Sequence, residues 1–404
     1  MNTDTAYWMA LAHELPAWNF SDTNGWKNED KMNLIIQFYH EKKMSIEDFF
    51  GLSEASWKND FQINDKQIAD IQKAKSSLAN YAFLAENLQN SGIEVIPVIS
   101  TEYSKILKEN LKKSAPIVLY IKGNKQIMQE NSVAIVGSRD ASQIALDFTD
   151  NIARKAGKEW KVVVSGFAKG VDKQALDSSI ACKGQSIIVL PQGILTFESG
   201  IKTYYKQIID GNVLVLSTFH PKAGWGKELA MARNPIIYGL AKEIFVAEAK
   251  PSKNRQGKET KGGTWAGVID GLNKIQKGIR KVGTIFVRQP ETTEQNDNLL
   301  LILKGAVAVD FDGNPVVKQY KIQDENISIV VEPQEKYKSF SEQVKEILSK
   351  GRLTIKVIHK KINFAESEQI LKKKLEKLDF IEVRKEKNKN YFMLKGNTES
   401  SLFD

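Results

Sequence analysis

Two glycine turns, Gly137-Ser138-Arg139 and Ser165-Gly166-Phe167-Ala168-Lys169-Gly170, hold the residues of this chain best suited to binding chemistry. Each turn follows directly on a β-branched apolar run, Val133-Ala134-Ile135-Val136 or Val162-Val163-Val164, and each is followed by a segment of helical pattern. Backbone N–H groups in such turns, with a helix N-terminus behind them, form a seat for phosphate. Ser138, Arg139, Ser165 and Lys169 make that seat hydroxylated and cationic, so the chemistry indicated is capture of a phosphate-bearing ligand. No catalytic constellation accompanies it. His13, His40, His220 and His359 lack ligand spacing, and the single Cys182 reads as a buried, inert thiol near a helix end, so neither zinc nor a Cys–His pair is indicated. There is no G-x-x-x-x-G-K-[ST], and Gly137-Ser138-Arg139 interrupts any G-x-G-x-x-G, which removes a P-loop ATPase and a dinucleotide dehydrogenase. Asp172 and Glu248 read as loop organisers or helix caps. No cofactor is expected.

The elements that must position these turns alternate along the chain. Glu94–Val98, Ile117–Ile121, Val133–Val136, Val162–Val164, Ile187–Leu190, Val213–Leu216, Ile244–Ala247 and Thr284–Val287 have the composition of strands. Helical patterns between them start near Ala141, Lys169, Ile201, Lys227 and Trp265. Near-continuous apolar strands flanked by helices predict an α/β fold, a Rossmann-like doubly wound, mostly parallel sheet with the two turns side by side at its carboxyl edge. Before it, residues 1–88 show helical periodicity, clearest at Met32–Tyr39 and Gln67–Ala74, and read as a small helical domain of SAM or helix-hairpin type. Residues 89–330 form the sheet domain, Val331–Lys336 reads as a linker, and 331–404 form a third domain. In that last part Ser341–Ser349, Ile355–Lys361 and Ala365–Leu378 read as helices, followed by a hairpin of Phe380–Val383 and Tyr391–Leu394, which is the winged-helix order.

Charge and length bound the partners. A chain of 404 residues, 42% apolar and 26% charged, fits a globular protein of two or three domains. It has no run of about 18 apolar residues and no signal-peptide pattern at its start, so a cytoplasmic protein with no membrane partner is expected. Nearly all of the net charge of +9 lies in 335–395, with 15 Lys and 2 Arg against 8 Glu and 1 Asp, and a second basic segment is Lys250–Lys261. Such segments favour polyanions. In the third helix of the last domain Lys372, Lys373, Lys374 and Lys377 would face a groove of nucleic acid, with Arg384, Lys385, Lys387 and Lys389 on the wing.

The succession Gly137-Ser-Arg139, Ser165–Asp172, Gln185–Gly193, Ser217-Thr-Phe-His-Pro221, Ala232–Leu240 and Ile244–Ala249 resembles the DNA-processing protein A (DprA/Smf) family, as does the upstream stretch from Gly92 to Asn124. The resemblance covers about residues 90–290, and the flanking helical and winged-helix domains are similar to those of family members. It implies a non-catalytic protein that binds single-stranded DNA, forms a homodimer, and hands the strand to a RecA-type recombinase in transformation, recombination or defence against invading DNA. Carried onto this chain, it implies contacts from Gly137, Ser138, Arg139, Ser165, Gly166, Lys169, Gly170, Arg233 and Asn234. Lys222, Trp225 and Lys227 with Phe219 supply the mixture of cations and rings that single strands need, and Gly263, Thr264 and Lys373 complete the expected nucleic-acid-binding set. Departures mark a divergent member: Gln174-Ala-Leu176 stands where an Ala-His pair is usual, and the basic insertion 250–261 with Gly262-Gly-Thr264 replaces a Ser-Gly-Ser-Leu type of loop. Gly262-Gly-Thr264 is also similar to a loop of nucleotide phosphoribohydrolases, but Gly267 stands where their glutamate would be, so hydrolysis drops out. What is left as the alternative is a Rossmann-like sensor of a nucleotide or nucleotide-derived second messenger.

Overall fold

The computed structural model describes residues 4–15, 26, 28–253, 259–278, 283–291, 294, 296–316, 319–323, 326–330, 340–349, 351–362, 367–376, 378–386 and 389–395. The chain opens with helices α1 (Asp4–Glu14), α2 (Asn28–Ile35, continuing as a π-helical turn Ile36–Glu41), α3 (Ile46–Gly51), α4 (Glu54–Phe61), α5 (Asp65–Ser76) and α6 (Leu78–Asn90). Local chemistry starts several of them. Ser45 with Asp48, and Asn64 with Gln67, form reciprocal capping boxes at α3 and α5, each satisfying two otherwise orphaned donors.

From Glu94 the pattern changes to β1 (Glu94–Pro97), α7 (Lys105–Leu111), β2 (Val118–Gly123), β3 (Ser132–Val136), α8 (Gln143–Lys158), β4 (Val162–Ser165), α9 (Val171–Ala181), β5 (Ser186–Val189), α10 (Glu198–Thr203), α11 (Tyr205–Ile209), β6 (Val213–Ser217), α12 (Lys227–Ala232), α13 (Asn234–Gly239) and β7 (Glu243–Val246). A small hairpin, β8 (Ser252–Lys253) and β9 (Glu259–Thr260), precedes α14 (Gly263–Gln276), β10 (Thr284–Arg288), α15 (Asn298–Leu303) and β11 (Val307–Val309). Nine strands form one sheet in the order β1-β2-β6-β5-β4-β3-β7-β10-β11. Only the β1–β2 and β2–β6 pairs are antiparallel; the others are parallel. Although the strands read as unbroken apolar runs, their side chains alternate between two cores. Val133 and Ile135 pack with Phe148 and Ile152 of α8, while Ala134 and Val136 belong to the core on the opposite face. That opposite core is continuous with the N-terminal helices, since Trp8, Phe38 and Leu88 share it with Ile96, Tyr120 and Val215.

After β12 (Gln319–Gln323) and β13 (Asn326–Val330), a separate cluster of Val344, Leu348, Ile358, Leu371, Leu375, Ile381 and Phe392 organises the last segment. It holds α16 (Phe340–Leu348), β14 (Leu353–Thr354), α17 (Ile355–Lys361), α18 (Glu368–Glu376), β15 (Ile381–Glu386) and β16 (Lys389–Leu394), with the three strands ordered β14-β16-β15. The expected linker Val331–Lys336, the residues Arg255, Lys258, Lys377 and Lys387, and the side chain of Lys389 lie outside what is described. Lys374 corrects the expectation of a lysine face on α18: it is buried, with its Nζ 4.0 Å from Glu130 of the sheet domain. Cys182 is half-buried rather than buried, and its Sγ donates to the Ser179 carbonyl at 3.2 Å at the end of α9. No helix among the described residues is long and apolar enough to cross a membrane.

Candidate functional site

The chain leaves β3 for β4, β5 and β6 on one side, then returns to place β7 on the other side of β3. Strand order therefore reverses between β3 and β7, the place where open α/β sheets leave a crevice at their carboxyl edge. A cavity of about 540 Å³ lies there. Its walls are Gly137–Asp140 after β3, Ala168 and Asp172 from the second turn, Lys227 to Tyr238 from α12 and α13, and Lys250, Pro251 and Gly262–Thr264 after β7.

The two turns are interlocked. A Cβ on Gly170, held at φ +85°, would lie 2.4 Å from the Ser138 carbonyl oxygen and 2.6 Å from that of Arg139, so only glycine lets the second turn pass under the first. The Val171 N–H donates to the Ser138 carbonyl at 3.3 Å, and the Ser138 N–H donates to the Glu248 carbonyl at 2.8 Å. The Ser138 hydroxyl accepts from the Asp140 N–H. Glu248, itself buried, accepts from the Ser142 N–H at 2.9 Å and its hydroxyl at 2.8 Å, tying β7 to the start of α8; Ser142 in turn caps that helix. Lys250 donates to the Asp140 carbonyl at 2.9 Å and lies 3.3 Å from Glu248.

Arg233 forms the floor. Its side chain is 5% exposed, and its Nη2 reaches Asp172, 8% exposed, at 3.1 Å. Nε and Nη1 have no partner among the described residues. The guanidinium fills the space above Gly166, where a Cβ would come 1.0 Å from Nη1. Burial, reinforced by Asp172, pushes the Tyr238 phenol well above its usual range, so it stays a neutral hydroxyl at the wall. The 14-residue helix α14 directs its first turn, Gly263 and Thr264, into the same cavity. Free N–H groups at such an end favour an anion.

Of the sequence-derived site residues, Gly137, Ser138, Arg139, Lys227, Arg233, Asn234, Gly263 and Thr264 meet at this cavity. Three serve the scaffold instead. The Ser165 hydroxyl, fully buried, donates to the Ile135 carbonyl at 2.7 Å, so it joins β4 to β3 and is no ligand donor. Gly166 is covered by Arg233, and Gly170 is the crossing point of the turns. Lys169 and Lys222 are exposed outside the cavity lining. Trp225, 57% exposed, stands at the mouth with the Arg139 guanidinium 5.9 Å from its ring centroid. Phe219 is half-buried, and Lys373 is exposed on α18 away from this edge. Sequence reasoning passed over Asp140, Met231 and Tyr238, and named Lys250 and Gly262 only as parts of the basic segment and of the loop after it, not as site residues. Lys250 and Gly262 bracket the basic insertion, the one signal that could have placed them.

Residues 94–255 match the family described as DNA recombination-mediator protein A. The DNA processing protein DprA of Streptococcus pneumoniae is 35% identical over 136 residues, which cover 34% of this chain and 48% of that protein. DprA of Bacillus subtilis is 26% identical over 163 residues, 40% of this chain and 54% of that protein. The chain thus spans about half the length of the curated relatives it matches. The crystal structure of DNA processing protein A from Streptococcus pneumoniae is similar at a TM-score of 0.54 and 22% identity, covering 76% of this chain and 95% of that one, which shows a shared fold.

Proposed function

We propose that this chain, whose residues 94–255 match the DNA recombination-mediator protein A model, is a member of the DNA-processing protein A (DprA/Smf) family and binds single-stranded DNA at the carboxyl edge of its sheet. The observation that carries this reading is the mouth of the cavity, where the exposed Trp225 ring, the Arg139 guanidinium above it and Lys227 combine a stacking face with cations. A base can stack on every aromatic face regardless of its identity, while cations track the phosphates. Lys169 and Lys222 continue that positive path outside the cavity. Inside, α14's first turn and Lys250 supply donors for a phosphate.

We read the site as one that binds and does not catalyse. Asp172 is engaged by Arg233, and Glu248 by Ser142, so both carboxylates hold the walls together. The helical region 1–88 and the sheet domain 89–330 are taken as two domains joined along one shared core, and the basic region 331–404 as a third with a core of its own. The order of three helices and a hairpin in the last supports a winged helix, with the exposed Lys373 as its nucleic-acid contact. Cytoplasmic strand delivery to a RecA-type recombinase, as a homodimer, in transformation, recombination or defence is the role we assign. The test is a binding titration of single-stranded DNA, double-stranded DNA and free nucleotides at two salt concentrations. Preferential, salt-dependent binding of single strands is expected; tight mononucleotide or cyclic-dinucleotide binding with indifference to single strands of any length would replace this reading by that of a sensor.

A further inference from the structure

On a different part of the molecule, between α2 with its π-helical continuation and the loop after β1, lies a groove of about 370 Å³. Its floor is aliphatic: Met32, Ile35, Ile36, Val98 and Ile99. Its rim is basic, with His40, Lys108, Lys112 and Lys113, and among the described residues no carboxylate lines it. Lys108 donates to the Val98 carbonyl at 3.1 Å, which fixes one wall. Lys112 and Lys113 are exposed, and neither has a carboxylate partner among the described residues. Lys112 is also strained, with φ 50° and ψ −124°, a conformation open to glycine and costly for a residue with a Cβ. A lysine standing where glycine would fit better directs attention to its ammonium group.

The chemistry narrows the occupant. Nucleic acid is disfavoured, because among the described residues no Phe, Tyr or Trp lines the groove for a base to stack on, and its one ring, the His40 imidazole at the rim, already meets the Tyr39 ring edge to face. A membrane surface is disfavoured as well, because the floor is recessed: Ile35 and Val98 are each 1% exposed and Met32 is 7% exposed. A single bulky side chain can reach such a floor, and charges beside it meet the rim. We propose that this groove docks an acidic peptide segment of a partner protein, with a leucine- or phenylalanine-sized side chain on the aliphatic floor and flanking carboxylates on Lys112 and Lys113.

The experiment uses the full chain and a fluorescein-labelled peptide, Asp-Asp-Leu-Phe-Asp-Asp, followed by anisotropy. Saturable, salt-sensitive binding is expected, with no binding of the counterpart in which every Asp is Lys. Lys112→Glu with Lys113→Glu should weaken it about tenfold or more, as reversal of paired charges at an interface does. Lys112→Gly should weaken binding yet raise the melting temperature, because it relieves the backbone while deleting the ammonium; a purely structural lysine would not move the two readouts in opposite directions. Ile36→Trp, which fills the groove, should also block the peptide, and single-stranded DNA binding should be unchanged in all of these variants. Absence of saturable peptide binding, equal binding by the folded double charge reversal, or saturation by dodecanoate but not by the peptide overturns the proposal.

Discussion

Gly166→Ala tests the construction of the cavity floor. The added Cβ would sit 1.0 Å from Nη1 of Arg233, 1.9 Å from Cζ and 2.2 Å from Nη2, so the guanidinium must leave. It cannot leave without abandoning Asp172, whose side chain is 8% exposed, to an uncompensated charge. Breaking a buried pair from one side costs about 3–5 kcal/mol, and the lower end applies here because two guanidinium nitrogens already lack partners among the described residues. For a domain of about 150–250 residues, about 3 kcal/mol lowers the melting temperature by roughly 6–12 °C. Arg233→Ala should cost a similar amount by removing the same pair. In the double variant the new methyl enters space that the guanidinium has vacated, so the loss should match the Arg233→Ala variant alone, a coupling of about 3 kcal/mol. Thermal unfolding of the parent, both single variants and the double variant measures this. Losses that simply add, or a Gly166→Ala variant that melts like the parent, would refute the seating of Arg233 over the second turn.

Three further outcomes are expected. Arg139→Ala and Lys227→Ala should each weaken single-stranded DNA binding and reduce the salt slope by about one, read from titrations at several salt concentrations. Trp225→Ala should cost about 1–3 kcal/mol of binding with no change in melting temperature, because the ring is exposed; a parallel loss of stability would show that it packs. His13 accepts or donates one hydrogen bond with Tyr120 at 2.7 Å, and burial, followed by His220 and Lys31, lowers its pKa from 6.5 to about 3. The unfolded chain therefore binds a proton that the fold excludes: stability is full above about pH 6.5 and falls by up to about 1.4 kcal/mol per pH unit as pH drops toward 3, a slope that His13→Gln should flatten in melting curves.

The sheet was legible because its strands are β-branched runs bounded by glycine, and all eight expected strands appear within a residue or two of their places. The ninth, β11, was passed over because three residues carry too little pattern. Helix starts shifted for a local reason: the segment expected near Ala141 begins at Gln143, after the Ser142 cap, and the one expected near Lys169 waits until the turn has crossed at Gly170. Which polar residues face the ligand was harder to see. Ser165 lies at a strand end where either orientation is possible, and pleat and register direct its hydroxyl to Ile135. Lys374 sits in a run of three lysines, and only tertiary docking decides which of them turns inward. Arg233 could be placed at the site by motif, but its burial depends on Gly166, 67 positions earlier in the chain.

The shared core of the N-terminal helices and the sheet has a consequence for how this gene can change. Trp8 and Leu88 pack in one cluster with Tyr120 and Val215, whereas Val344 to Phe392 enclose a core of their own. A recombination breakpoint near residue 90 would split a hydrophobic interior and expose both halves, while one between 330 and 340 would divide no cluster of the described residues. The C-terminal segment thus carries an apolar core that such a break leaves whole, and the contact it would expose is that of the buried Lys374 with Glu130 of the sheet domain. The N-terminal helices must instead be inherited together with the sheet, with substitutions on either side of that seam accepted as matched sets.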